Sequence, residues 1–205
     1  MLIALDGIDG SGKTTLSKLL YKKIIEKGVE CQLYNMGNYG FFDSHLNNLR
    51  TKKLAIDPVS RELLYYFEGN LFSNEICKNP NKVYITDRYY LSYYAYGPIN
   101  HVMIDDIEKF TAQMKKPDLY FFIDVKPDIT LERIKKYRKI DPPEIGFSKT
   151  LSENEEENWA MYLEVQKEIY NNYKSAISNM QDIICIDGNR SIEEVFRQII
   201  SNLKL

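Results

Sequence analysis

Eight consecutive residues, Gly7-Ile8-Asp9-Gly10-Ser11-Gly12-Lys13-Thr14, carry the strongest chemical signal in the chain. They fit the pattern G-x-x-x-x-G-K-[ST] in full. Gly7, Gly10 and Gly12 permit backbone conformations that a β-carbon resists, so the loop amides can turn inward toward phosphate oxygens. The helix expected to follow adds its positive N-terminal end. Lys13 then reaches β- and γ-phosphates, and Thr14 ligates Mg²⁺. The stretch is a phosphate-binding loop, with Gly7, Asp9, Gly10, Ser11, Gly12, Lys13, Thr14 and Thr15 as its nucleotide-binding candidates. By itself it does not separate kinases from switches or motors.

A second constellation lies in mid-chain, in the run VYITDRYYLSYYAYG from Val83 to Gly97. Asp87 falls at the end of an apolar, β-branched stretch. A carboxylate at the carboxyl end of a strand beside the loop strand can hold Mg²⁺ directly or through water. Arg88 follows at once and can clamp a phosphate with two parallel hydrogen bonds. The structural alternative is an Asp–Arg pair capping the next helix.

These groups need elements to hold them. Five short runs read as buried strands: Leu2 to Leu5, Cys31 to Tyr34, Val83 to Thr86, Leu119 to Val125 and Ile183 to Ile186. Helical patterns alternate with them, which argues for a parallel sheet covered by helices. Leu16, Leu19, Leu20 and Ile24 mark one apolar helix face, with Gly28 as its terminator. Asp57 before Pro58 reads as an N-cap with proline in the first turn, on a helix expected to carry Leu64, Phe67 and Leu71 inward. Ile107, Phe110 and Met114 mark another helix. Ser152 with Glu155, and Ser191 with Glu194, have capping-box spacing. Lys139 to Leu151 has two prolines, a glycine and no periodicity, and reads as a loop or lid. The fold class expected is α/β: a P-loop NTPase fold with a five-stranded parallel sheet flanked by helices and a mobile lid. Residues 1–205 would form one domain, with the lid at about 139–151.

Composition bounds the rest. The chain has 205 residues, 44% hydrophobic and 27% charged, which suits a globular domain. A net charge of −2 lacks the basic excess of a general nucleic-acid binder. No run reaches the ~18 apolar residues that span a bilayer, and Asp6 interrupts the first apolar run too early for a signal peptide. The expectation is a cytoplasmic protein without nucleic-acid or membrane partners. Cys31, Cys77 and Cys185 are few and far apart, and read as buried, reduced thiols. His45 and His101 have no metal-ligand spacing, and Trp159 reads as a core anchor of its helix.

GIDGSGKTT near the amino terminus, DRYYLSYYAYG in mid-chain and PDLYFFIDVKPDITLERI after it resemble the thymidylate kinases. The resemblance implies a nucleoside monophosphate kinase arrangement, ATP as phosphoryl donor, Mg²⁺ dependence, a flap over ATP and a homodimer. It implies that Asp9 faces the acceptor sugar and phosphate, that Arg88 holds the acceptor phosphate, and that Tyr96 packs near the 2′ carbon and favours deoxyribose. Within RELLYYFEGN, either Tyr65 or Tyr66 would lie against the acceptor base. A core role is the alternative for each.

Three positions depart from the family pattern. An arginine usually follows the stacking aromatic by four residues; here Gly69 and Asn70 are the candidates, and Asn70 offers an amide. An arginine usually follows the second strand; YNMGNYGFF has none, and Arg50 on the next expected helix is the substitute, with a surface role as the alternative. The bacterial flap carries an Asp–Arg pair, whereas this chain has Asp141-Pro142-Pro143-Glu144. Gly10 also stands where the eukaryotic loop supplies an arginine. Some cation must offset charge on the transferring oxygens. The remaining candidates are Arg133, Arg138, Lys139 and Lys149, with Arg138 also placed to stack on adenine. A solvated basic helix end is the alternative.

The leading expectation is transfer of the ATP γ-phosphoryl group to dTMP or a relative such as dUMP. The catalytic candidates are Lys13, Asp9, Arg88 and Arg138. A same-fold kinase acting on a nucleoside or modified nucleotide is the second reading, motivated by the missing arginines. A nucleotide-dependent switch ATPase is the third; Asn81-Lys82-Val83-Tyr84 lacks the aspartate of a guanine signature.

Overall fold

The computed structural model describes residues 1–36, 57–146 and 149–203. Five strands form one parallel sheet: β1 (Leu2–Asp6), β2 (Cys31–Asn35), β3 (Val83–Asp87), β4 (Leu119–Asp124) and β5 (Ile183–Asp187), in the order β2-β3-β1-β4-β5. From β1 the chain runs to the edge strand β2, returns as β3 between β2 and β1, and then crosses to β4 and β5 on the other side. β1 therefore sits at the reversal, where an open α/β sheet leaves a crevice at its carboxyl edge. Asp87 of β3 pairs in register with Leu5 of β1, which brings the second constellation beside the phosphate-binding loop.

Alternation along β1 divides the core. Leu2 and Ala4 enter one apolar layer, Ile3 and Leu5 the other, as the two-residue period of a strand requires. Among the described residues seven α-helices cover the sheet. α1 (Lys13–Glu26) and α7 (Ile192–Ser201) pack on the Ile3 side. The Leu2 side takes α2 (Pro58–Lys78), α3 (Tyr90–Tyr96), α4 (Ile104–Thr111) and α6 (Glu155–Ser178). α5 (Pro127–Ile134) joins the start of α6 and a 3-10 helix, Pro142–Ile145, in a third cluster of Leu131, Ile134, Ile145, Trp159 and Tyr162.

Local signals account for some helix ends. Asp57 Oδ1 accepts from Ser60 N at 2.9 Å with Pro58 in the first turn of α2, and Ser191 and Glu194 form a complete capping box on α7. Gly28 follows α1 with φ +75°. α6 departs from expectation: its N-cap is Asn154, which accepts from Glu156 N, while the Ser152 hydroxyl turns to Glu157. The stretch expected as an unpatterned lid contains the 3-10 helix, and Ile145 within it is fully buried.

Two further expectations are corrected. Phe67 and Leu71 face outward on α2, Leu64 is half-buried, and the buried residues of the helix are Glu62, Tyr66, Glu68, Gly69, Phe72, Ser73 and Ile76. All three cysteines are free thiols, but only Cys31 is buried; Cys77 and Cys185 are exposed. His101 is exposed and His45 lies outside the described residues. Trp159 is buried, as its core role requires.

Candidate active site

The phosphate-binding loop leaves β1 at Gly7 and enters α1 at Lys13. A β-carbon on Gly7 would stand 2.8 Å from both Ile123 O and Ser11 Oγ, so the close approach admits only glycine. Gly10 has φ +76°, and a β-carbon there would meet Ile134 Cγ1 at 2.9 Å. Gly12, also left-handed, is the N-cap of α1.

Lys13 is almost fully buried and folds back on the loop. Its Nζ donates to Ile8 O at 2.8 Å and to Ser11 Oγ at 3.4 Å. Burial, seconded by the Arg88 charge, lowers its pKa from 10.5 to about 8, against the pull of Asp87, Asp9 and Asp6. Thr14 Oγ1 donates to Asp87 Oδ2 at 2.5 Å, so the two oxygens suited to a divalent cation are adjacent. Thr15 is exposed at the start of α1.

Arg88 joins the two constellations. It has φ +71°, a conformation that non-glycine residues avoid and that tends to mark functional sites. Its Nη2 pairs with Asp9 Oδ1, and its Nη1 donates to Gly7 O, Ser92 Oγ and Tyr173 OH at 3.0–3.3 Å. The guanidinium also lies 4.8 Å from the centre of the Tyr96 ring. Burial pushes the Asp9 pKa up, but Arg88, Lys13 and Arg138 together bring it below the ordinary value. Asp9 N is held from the other side, donating to Gln166 Oε1 of α6 at 3.3 Å.

Beneath this pair lies a carboxylate that sequence reasoning missed. Asp6 is fully buried and accepts from Ser92 Oγ at 2.5 Å, Tyr120 OH at 2.6 Å, and Tyr89 N and Tyr173 OH at 3.0 Å. Burial raises its pKa despite those donors. Ser92 and Tyr173, fixed by Asp6, in turn receive Arg88. The only local signal was a polar residue ending an apolar strand. Gln166 and Tyr173 likewise show only as members of a helix face.

The aromatic candidates separate. Tyr66 is a core residue: it is buried, edge-on to Tyr93 at 4.4 Å and packed on Phe110, which corrects its alternative role against a base. Tyr65 is half-buried. Asn70 donates its amide to Tyr66 O and Phe110 O, so that donor is spent on backbone. The hydroxyl of Tyr96 is buried without a hydrogen-bond partner among the described residues. Next to this face, Glu62 is buried, accepts from Asn100 Nδ2 at 2.7 Å and is pushed by burial up to about 7, with Arg61 opposing. Arg50 lies outside the described residues.

On the other flank of the loop, a cleft of about 190 Å³ opens between Ser11, Gly12, Arg133, Gly188, Arg190 and Ile192. Arg133 spans it, donating to Gly10 O at 3.4 Å and Gly188 O at 3.0 Å. Gly188, Arg190 and Ile192 were not foreseen, because the β5–α7 turn reaches the loop only through the sheet order. Arg138 forms a two-point ion pair with Glu144, both contacts 2.6 Å. Lys139 is exposed, and Lys149 pairs with Glu164 at 3.1 Å.

A glycine loop at the reversal point of a parallel sheet, closed by a lysine, with a Thr–Asp pair and a half-buried arginine in front of it, defines a P-loop nucleotide-dependent phosphotransferase. A family model described as thymidylate kinase matches residues 5–199, and the chain belongs to that family. A probable thymidylate kinase 2 of Saccharolobus solfataricus is 31% identical over 199 residues, covering 95% of this chain and 91% of the relative. Thymidylate kinases of Finegoldia magna and Mycoplasmopsis agalactiae are each 27% identical, over 100% and 99% of this chain and 98% and 94% of their own length. No helix of the described residues is long and apolar enough to cross a membrane.

Proposed function

We propose that this chain transfers the γ-phosphoryl group of ATP to dTMP, giving the diphosphate. The observation that carries this is the junction of Lys13, Thr14–Asp87 and Asp9–Arg88 at the carboxyl ends of β1 and β3. One cation faces the donor side and the other the acceptor side. Lys13 exchanges its contacts with Ile8 O and Ser11 Oγ for β- and γ-phosphate oxygens. Arg88 exchanges part of its shell for the acceptor phosphate, while Asp6, through Ser92 and Tyr173, keeps it aimed. Asp9 accepts from a sugar hydroxyl, Tyr96 crowds the 2′ position, and Tyr65 lies against the base. The cleft beside Arg133 takes the adenosine end of ATP, and Arg138, just before the lid at about 139–151 and paired with its Glu144, closes over it. Thr14 and Asp87 would hold Mg²⁺, which when bound offsets phosphate charge.

The acceptor phosphate is already ionised near neutral pH, so an in-line attack needs no strong general base. The chain contributes positioning and charge neutralisation. The protein works as a cytoplasmic homodimer, with the exposed apolar stripe of α2 as the contact between copies.

A second reading, a same-fold kinase for a nucleoside or modified nucleotide, is favoured by one feature. Gly69, four residues after Tyr65, offers the base no side chain, and the Tyr93 hydroxyl fills that space. Steady-state assays with dTMP, dUMP, dCMP and thymidine decide between them. The expected result is the highest kcat/KM for dTMP; turnover of thymidine without dTMP would establish the second reading instead.

A further inference from the structure

Tyr162 on α6 is fully buried, yet its hydroxyl oxygen has no hydrogen-bond partner among the described residues. Leaving a buried hydroxyl unpaired is unfavourable, and such an orphan calls for an explanation. Its position supplies one. One turn further along α6, Gln166 receives Asp9 N. On its other flank Tyr162 packs in one cluster with Ile134, which presses on Gly10 so closely that a β-carbon there would lie 2.9 Å away. Ile145 of the same cluster follows Glu144, the partner of Arg138. The phenol is thus bracketed between the third and fourth residues of the phosphate-binding loop and the lid ion pair, and the charges of Asp9, Glu144 and Arg138 all reach it.

We propose that the Tyr162 hydroxyl donates a hydrogen bond to an oxygen of the phosphoryl group in transit between donor and acceptor. The nucleotide phosphates supply the acceptor that the ligand-free chain lacks. The nearby carboxylates are already engaged, Asp9 by Arg88 and Glu144 by Arg138. Burial keeps the phenol protonated, so it enters the site as a donor. Tyr162 then supplies from α6 part of the stabilisation that the proline-containing lid run, Asp141 to Glu144, gives no arginine to provide.

The inference rests on the phosphotransfer reading, which turnover of dTMP by the wild-type protein tests separately. Tyr162→Phe removes the hydroxyl and keeps the ring against Trp159. The expected result is an unchanged or higher melting temperature without ligand, KM values within about 3-fold of wild type, and kcat lower by roughly 10- to 100-fold. An active wild type with kcat unchanged in the variant would overturn the proposal. So would a ligand-free melting temperature lower by more than about 3 °C, since the hydroxyl would then have a partner in the empty protein.

Discussion

Lys13 is a cation that the loop holds out of water before any phosphate arrives. Its pKa stands near 8 in the folded chain, against 10.5 ordinarily, so the unfolded chain binds the proton more tightly. Stability therefore rises with pH between those values: the cost of the buried ammonium is fully present below about 8 and fades toward 10.5. Lys13→Met removes that cost. The variant is expected to be more stable than wild type at pH 7 by about 1–3 kcal/mol, with the gap closing by about pH 10. It should also lose at least about 100-fold in turnover. Urea denaturation over pH tests the first part; a variant less stable than wild type at pH 7 would show that the contacts to Ile8 and Ser11 outweigh desolvation. Lys13, Thr14 and Asp87 were legible in the sequence because each is fixed by spacing within one loop or by the end of one strand. Asp6, Gln166 and Tyr173 were not. Their roles depend on partners 86, 157 and 85 residues distant, which only the fold brings together.

At the level of elements, α2 shows what periodicity leaves undetermined. The sequence suggests that Leu64, Phe67 and Leu71 face the core, whereas Phe67 and Leu71 join Leu63 in an exposed apolar stripe at four-residue spacing. The buried face instead carries Glu62 and Gly69, because Tyr93 and Asn100 provide polar partners for that side. A helix apolar on two sides does not declare which side is inward. The five parallel strands and the neighbouring of β1 and β3 were better served, since short β-branched runs between helical segments admit few arrangements. The Gly69–Tyr93 contact gives this packing a test. A β-carbon on Gly69 would stand 2.0 Å from the Tyr93 hydroxyl, which itself donates to Tyr65 O at 2.9 Å. Gly69→Ala is expected to cost about 1–3 kcal/mol, and Tyr93→Phe alone about 1 kcal/mol. The double variant should be more stable than the sum of the two predicts by at least about 1 kcal/mol. Strict additivity in urea denaturation would mean that the helices separate rather than clash.

For the whole molecule, α2 turns an apolar stripe to the surface. Leu63, Phe67 and Leu71 are 41%, 56% and 41% exposed. Facing a second copy related by a two-fold axis, each stripe meets its own equivalent, and a central aromatic is the kind of residue on which such contacts depend. Helix α2 also carries Tyr65, proposed here against the acceptor base, and Glu62, so pairing of two α2 helices would steady the acceptor side of both sites. The wild-type chain is expected to sediment at twice 24.1 kDa. Phe67→Glu should place two charges against each other in the contact and shift the species to a monomer. If the monomer keeps its fold, its KM for dTMP should rise more than its KM for ATP, because α2 touches the acceptor side and not the Arg133 cleft. A wild-type monomer would refute the α2 contact, as would a Phe67→Glu protein that remains dimeric. A monomeric variant with both KM values unchanged would separate assembly from catalysis.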